Sequence, residues 1–357
     1  MTSRITPGVL AFLFLINAAS SLPAQSPAPA RRPPVLRSAG TYSSDGNQSR
    51  PSRRTADARV NTAHLGQTLV TVPAVVMDRS GRYIANLRKE DFRVYENGVQ
   101  QNVAYFASIE KPFTVALILD VSGSTQFQLS QIRDAANTFV SRLRLNDRMM
   151  AISFDGKINL LTDVEDVRAI RQSRLHIPTV TDGTVLYDAV DFAVKRIAGT
   201  PGRKAIVLMT DGVDQSSTAA TLQSTLDEIA EQDIMVYTVQ YNTLPQLPQR
   251  LSMIKNEKAR RKVRERLLSG YALSEPYLRG LADKTGGRFY KADDLRAIGP
   301  AFEAITAELG VQYSLGYYRN ENSSVNSQRM IKVRVRYPNL VVRARDSYST
   351  SPTIARQ

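Results

Sequence analysis

Two apolar runs, Phe113–Leu119 and Ala205–Met209, each hand over to an Asp within two residues, and segments of helical period lie between them. Ile132, Ala136, Phe139, Val140 and Leu143 recur at helical spacing after the first run. Leu186, Val190, Ala193 and Ile197 do so ahead of the second, closed by Gly199 and Pro201. Arg148–Phe154 and Ile234–Val239 read as further strands, with Leu222, Leu226 and Ile229 marking a helix before the second of these. Apolar runs without polar alternation must be covered on both faces. Strands joined through helices need right-handed crossovers. Residues 112–310 are therefore expected to form an α/β fold, a doubly wound, mostly parallel sheet with helices on both faces.

Finer readings follow from local spacing. Asp155-Gly156 reads as a turn into a strand over 157–161, and Thr162-Asp-Val-Glu165 has capping-box spacing ahead of a short helix. Residues 242–275 interrupt the alternation. Within them, Arg250–Leu268 is helical in character and carries eight Lys/Arg against Glu257 and Glu265. It reads as a solvated insertion, or as a contact surface for an acidic partner. A separate helix over 277–284, a turn and short strand over 285–290, and a helix through Phe302, Ile305 and Leu309 complete the segment.

Both flanks of this segment have β character. On the N-terminal side, 64–111 reads as a small antiparallel unit, in which Pro73 suggests that Thr68–Met77 is an edge strand or carries a bulge. Asn97-Gly98 between β-rich runs predicts a hairpin joining Phe92–Tyr95 to 99–106. On the C-terminal side, 311–318 and 330–337 are expected to pair with that unit, so that 311–350 and 64–111 form one small β domain. Residues 1–24 read as a secretory signal, with Arg4, the apolar core Val9–Ile16 and small residues after it. Eight apolar residues are too few for a membrane span, which needs roughly 20. The protein is therefore expected to be exported, to the periplasm or beyond, without a transmembrane span. Residues 25–63, rich in Pro, Ser and Arg, read as a disordered linker. The formal net charge is +14. Residues 1–63 hold eight Arg against Asp45 and Asp57, and export weighs against nucleic acid as the counterpart.

Three oxygen-rich clusters fall where such a sheet brings loops together. They are Asp120-Val-Ser122-Gly-Ser124, Thr181-Asp182-Gly183-Thr184 and Thr210-Asp211-Gly212. Ligands of open parallel sheets bind beyond the carboxyl ends of the strands. Two carboxylates with several hydroxyls suit a hard divalent cation such as Mg²⁺. The chain has no Cys, and its two His, His64 and His176, stand apart. Thiolate zinc sites, disulfides and a Cys nucleophile are excluded, and a His-based triad has no support. In an extended loop Asp120, Ser122 and Ser124 point the same way. These residue types also serve as ordinary turn and cap residues, the reading preferred for Asp182, Asp188 and Asp214.

The pattern resembles the von Willebrand factor type A domain and its metal-ion-dependent adhesion site, Asp-x-Ser-x-Ser followed by a distant Thr and a distant Asp. Asp120, Ser122 and Ser124 match the first element, Thr184 the second and Asp211 the third, over about residues 112–310. Further likenesses, Thr285–Tyr290, Asp91-Phe92 and Tyr313–Tyr317, are similar to a bacterial exported subfamily with β flanks. The resemblance implies a Rossmann-like sheet and a non-enzymatic, adhesion-type module. Ser122, Ser124 and Thr184 would bind Mg²⁺ (Mn²⁺ or Ca²⁺ in its place) through hydroxyls, with Asp120 and Asp211 binding directly or through water. A sixth position would be left for the acidic side chain of a partner protein. Where the family often has Gly-Gly-Thr, this chain has Asp182-Gly183-Thr184, and Thr181 is a second candidate for the Thr ligand. Two other readings stay open, an envelope protein with a purely stabilising metal site and a metal-dependent hydrolase. Against the hydrolase, Ser122 stands where a phosphatase usually has a second carboxylate.

Overall fold

The computed structural model describes residues 68–108, 111–123, 129–178, 183–292, 297–319 and 328–349. The signal segment, the linker, Ser124, Thr181 and Asp182 lie outside them. The N-terminal flank supplies β1 (Leu69–Asp78), β2 (Phe92–Glu96), β3 (Val99–Gln101) and β4 (Val103–Ala107). The α/β segment then runs β5 (Phe113–Asp120), α1 (Leu129–Arg142), β6 (Arg148–Phe154), β7 (Ile158–Asp166), α2 (Val167–Ser173), α3 (Leu186–Ala198), β8 (Arg203–Thr210), α4 (Leu222–Glu231) and β9 (Ile234–Tyr241). It continues through α5 (Leu247–Ser252), α6 (Glu257–Thr285), β10 (Arg288–Ala292) and α7 (Ile298–Leu309). The C-terminal flank is β11 (Tyr313–Tyr318), β12 (Gln328–Val335), β13 (Leu340–Ala344) and β14 (Ser347–Ser349).

The central sheet has the order β10-β9-β8-β5-β6-β7. Its strands are parallel except β7, which runs antiparallel to β6 at the edge. Every residue of β5 and β8 is buried. The period of two divides them between two cores. Val115, Leu117 and Leu119 pack with Phe139, Phe302 and Ile305 from α1 and α7. Ala116 and Ile118 pack with Leu186, Val190 and Ile197 from α3 and with Leu278 and Leu281 from α6. A strand carrying such an uninterrupted run has helices on both sides because both sets of side chains must leave water.

The two flanks pair with each other. β1 lies antiparallel to β11, from Leu69 opposite Tyr318 to Ala74 opposite Tyr313, and β2 lies antiparallel to β12. The result is two four-stranded sheets, β13-β1-β11-β4 and β14-β12-β2-β3, enclosing Val72, Ala74, Val94, Leu315 and Tyr317. Asn97 (φ 47°) and Gly98 (φ 82°) turn β2 into β3, the two left-handed residues that a tight hairpin needs.

Four local expectations change. First, β1 is not an edge strand. It pairs on both sides, and Pro73 is accommodated because the ladder with β13 begins one residue later, at Ala74. Second, the run 99–106 is two strands that enter different sheets. Third, Thr162–Glu165 is no helix cap. β7 continues through it to Asp166, held by pairing to β6, and α2 starts at Val167. Fourth, the basic stretch from Glu257 onward and 277–284 are one helix, while Arg250 lies in the separate α5. α6 runs unbroken past Pro276, because Leu267, Ser274, Tyr277, Leu278 and Leu281 along one side are buried. Packing outweighs the amide hydrogen bond that a Pro removes.

Candidate metal centre

Asp120 is the last residue of β5, and Asp211 follows the last residue of the neighbouring β8. The parallel register, Leu119 opposite Met209, carries both carboxylates to the same edge of the sheet. Both are buried, Asp120 completely and Asp211 to 3 % exposure. Ser122 N–H donates to Asp120 Oδ1 (3.0 Å), and Thr210 Oγ1 donates to Asp120 Oδ2 (2.6 Å). The Ser122 side chain is buried against the same carboxylate. Asp211 Oδ1 accepts from Val213 N–H at 3.0 Å and Oδ2 from Thr243 Oγ1 at 2.8 Å. Tyr271 hydroxyl reaches Oδ2 at 3.4 Å and also hydrogen-bonds Thr243.

Thr184, buried just before α3, joins through the loop after Asp211. Its carbonyl accepts from Gln215 N–H (2.9 Å) and Ser216 N–H (3.0 Å), and Gln215 Nε2 lies 3.4 Å from its hydroxyl. The fold thus brings together three loops, 120–123, 183–185 and 210–216. Ser124 lies outside the described residues, as do Thr181 and Asp182. Asp188 and Asp214 are braces. Asp188 accepts from the backbone N–H groups of Thr218, Ala219 and Ala220, and Asp214 accepts from Ser217 Oγ and from Tyr187 N–H.

The electrostatics are those of a site short of positive charge. Burial pushes the Asp120 carboxyl up, and the charge of Asp211 pushes it further. Hydrogen bonds from Thr210 and Ser122 oppose the shift without cancelling it. The buried Tyr241 phenol is raised by burial and then by both carboxylates, so it stays neutral beside them. Two carboxylates held together out of water carry a cost that a cation relieves. Among the described residues no three His, Cys, Asp or Glu cluster as ligands, and the other side-chain oxygens that bond these two carboxylates are hydroxyls. Oxygen donors of mixed charge fit Mg²⁺, which tolerates retained waters.

Spacing did not single out Thr210, Thr243 or Tyr271 as supports of the carboxylates. Thr210 lies inside a cluster that the sequence displays. Thr243 and Tyr271 carry no local signal, because β9 and α6 bring them in from the far side of the site. Gly212 binds the site to α6. Its φ is +84°, and a Cβ there would stand 2.6 Å from Ser274 Cβ and 3.1 Å from Leu278 Cδ1. Gly212→Ala is expected to cost about 1–3 kcal/mol in urea unfolding, because it adds left-handed strain and pushes the helix from the loop.

Residues 115–213 match the model of the von Willebrand factor type A domain. That matched segment carries β5, β6, β7 and β8 of the six-stranded sheet, so this part of the chain is similar to a von Willebrand factor type A domain. Among solved structures, a von Willebrand factor type A protein from Catenulispora acidiphila is 12% identical, with 73% of each chain covered and a TM-score of 0.44. The vWF domain of the type V pili tip protein Mfa5 from Porphyromonas gingivalis is 14% identical, with 59% of this chain and 98% of that chain covered and a TM-score of 0.38. Proximal thread matrix protein 1 from the mussel byssus, with a zinc-occupied MIDAS motif, is 11% identical over 59% of this chain and 48% of that one, with a TM-score of 0.40. No curated protein matches this sequence.

Proposed function

We propose that this chain is an exported, divalent-cation-dependent protein-binding module rather than an enzyme. The observation that carries this reading is the buried pair Asp120 and Asp211 at the ends of adjacent parallel strands, with Ser122 bonded to Asp120 and Thr184 tied to the loop that follows Asp211. In this reading Asp120, Ser122, Ser124, Thr184 and Asp211 hold Mg²⁺, with Mn²⁺ or Ca²⁺ as substitutes, and a carboxylate of a partner protein completes the coordination. The bound cation supplies a positive charge that the hydroxyl ligands leave largely unneutralised. The chain's own residues do the rest. Thr210 fixes Asp120 by donating to it, the hydrogen-bonded pair Thr243 and Tyr271 holds Asp211, and Gln215 ties Thr184 to the loop that follows Asp211. Among the described residues, the groups that hydrogen-bond the two carboxylates are hydroxyls and backbone N–H groups, a setting that suits a cation held through oxygen ligands.

Export is proposed from the signal segment at 1–24, and none of the described helices is long and apolar enough to cross a membrane. The test is capture of proteins from cell-envelope extract on immobilised chain, in Mg²⁺ and in EDTA, with Asp211→Ala alongside. A set of proteins retained in Mg²⁺ and lost in both other conditions is expected. Capture that is indifferent to EDTA and to Asp211→Ala would rule the reading out.

A further inference from the structure

The first three turns of α6 form a basic rod at the rim of this centre. Residues 257–266 hold Lys258, Arg260, Arg261, Lys262, Arg264 and Arg266 against Glu257 and Glu265. All of these except the half-buried Arg260 are exposed. Among the described residues, the ion pair within this stretch is Arg261–Glu265 at 3.3 Å, so most of its positive charge faces solvent. Ten helical residues span about 15 Å.

The next turns clamp this rod to the loop that carries Asp211. Arg266 donates to the Gln215 carbonyl, and Gln215 in turn reaches the Thr184 hydroxyl. Leu267 packs with Val213 and Leu247, a Cβ on Gly270 would stand 2.7 Å from Val213 Cγ1, and Tyr271 reaches Asp211. The helix is thus held against the loop that carries Asp211, and its exposed basic turns lie just N-terminal to that clamp.

We infer that the 257–266 rod is a docking arm for an acidic segment of the partner protein, one that continues past the carboxylate bound at the centre. This rests on the function proposed above. Charge complementarity selects the occupant. The chain's own tail is excluded by its eight Arg against two Asp over residues 1–63, and a second copy, at net charge +14, is repelled in the same way. The arm steers an acidic chain towards the centre and holds the residues flanking the bound carboxylate.

The test uses the full chain and a fluorescein-labelled oligo-glutamate peptide, read by anisotropy across a salt series. Lys258→Glu, Arg261→Glu and Lys262→Glu combined are expected to weaken binding in Mg²⁺ by about tenfold or more and to flatten its salt dependence. All three positions are exposed, so the melting temperature should match wild type, and Gln at the same positions should give a smaller loss. EDTA on wild type should weaken binding and leave a salt-dependent remainder that the triple variant lacks. Affinity and salt dependence equal to wild type in the triple variant overturn the arm, whatever EDTA does. Loss in the triple variant with no effect of EDTA keeps the arm and overturns the cation reading. Triple-variant protein that still holds the peptide but no longer binds phosphatidylserine vesicles marks a membrane contact instead, and overturns the proposal.

Discussion

Mg²⁺ is expected to raise the melting temperature of the metal-free protein, and Asp120→Asn to remove that response while raising the melting temperature in EDTA. A cation that binds the folded chain alone, at about 100 times its Kd, adds about 2.7 kcal/mol. For a domain near this size each kcal/mol is worth roughly 2–4 °C. The Asn variant keeps the shape of the side chain and a carbonyl for the Ser122 N–H, and it loses the buried charge that burial and Asp211 both disfavour. Relief of that charge should outweigh the weakened bond from Thr210, so the metal-free variant gains on the order of 1 kcal/mol near neutral pH.

The pH dependence has a definite sign. Asp120 is raised in the folded state above its ordinary value of 3.8. The folded protein therefore binds more protons than the unfolded chain just above that value. Stability from this group is present below 3.8 and is lost as pH rises through the elevated folded value. Metal-free wild type should lose stability over that range, and Asp120→Asn should lose less. Scanning fluorimetry with and without Mg²⁺ across pH reads all three effects. A variant that is less stable in EDTA and still stabilised by Mg²⁺ would refute the assignment of Asp120.

Glu308→Ala is expected to cost about 3–5 kcal/mol, the loss typical of a buried ion pair stripped of one partner. Glu308 sits in α7 with no exposure to solvent and serves three donors. Tyr83 hydroxyl donates at 2.9 Å and Tyr237 hydroxyl at 2.6 Å, and Arg343 of β13 forms an ion pair with it. Burial and the Glu308 charge hold the Tyr237 phenol well above its ordinary range, so it remains a donor. This one carboxylate joins the helix to β9 of the central sheet and to the β flanks. Its removal leaves a guanidinium and two phenols without their acceptor. Glu308→Gln retains an acceptor and should lose about 1–3 kcal/mol. Urea unfolding measures both. A loss below about 1 kcal/mol for the Ala variant would show that water replaces the carboxylate at no real cost.

The sheet was legible because its signals are local. Uninterrupted apolar runs at 113–119 and 205–209 demand cover on both faces, and the chain between them repeats at the period of a helix. Asp120 and Asp211 were legible because each ends a strand, and strand ends of a parallel sheet share an edge. The Asn97-Gly98 hairpin was legible for the same reason, since two residues suffice to define the turn. Thr162–Glu165 misled because capping-box spacing is a local preference that pairing to β6 overrides. The separate helix expected over 277–284 proved to be the end of α6, because the buried turns around Pro276 hold the helix continuous. Glu308 gave no warning, as a Glu near a helix end normally faces water.

Short-range spacing, then, is enough to define the strand–helix order, the two carboxylates at the sheet edge and the hydroxyls beside them. Folding decided what surrounds those groups. It brought Thr243 and Tyr271 onto Asp211 from β9 and α6, and it set the exposed basic turns of α6 against the loop that carries that residue. These contacts join residues tens of positions apart. Their energies depend on burial and on partners that no window of sequence contains, so the sequence offered Asp120 and Asp211 as candidate metal ligands, and only the fold gave their burial as a pair and the side chains that brace Asp211.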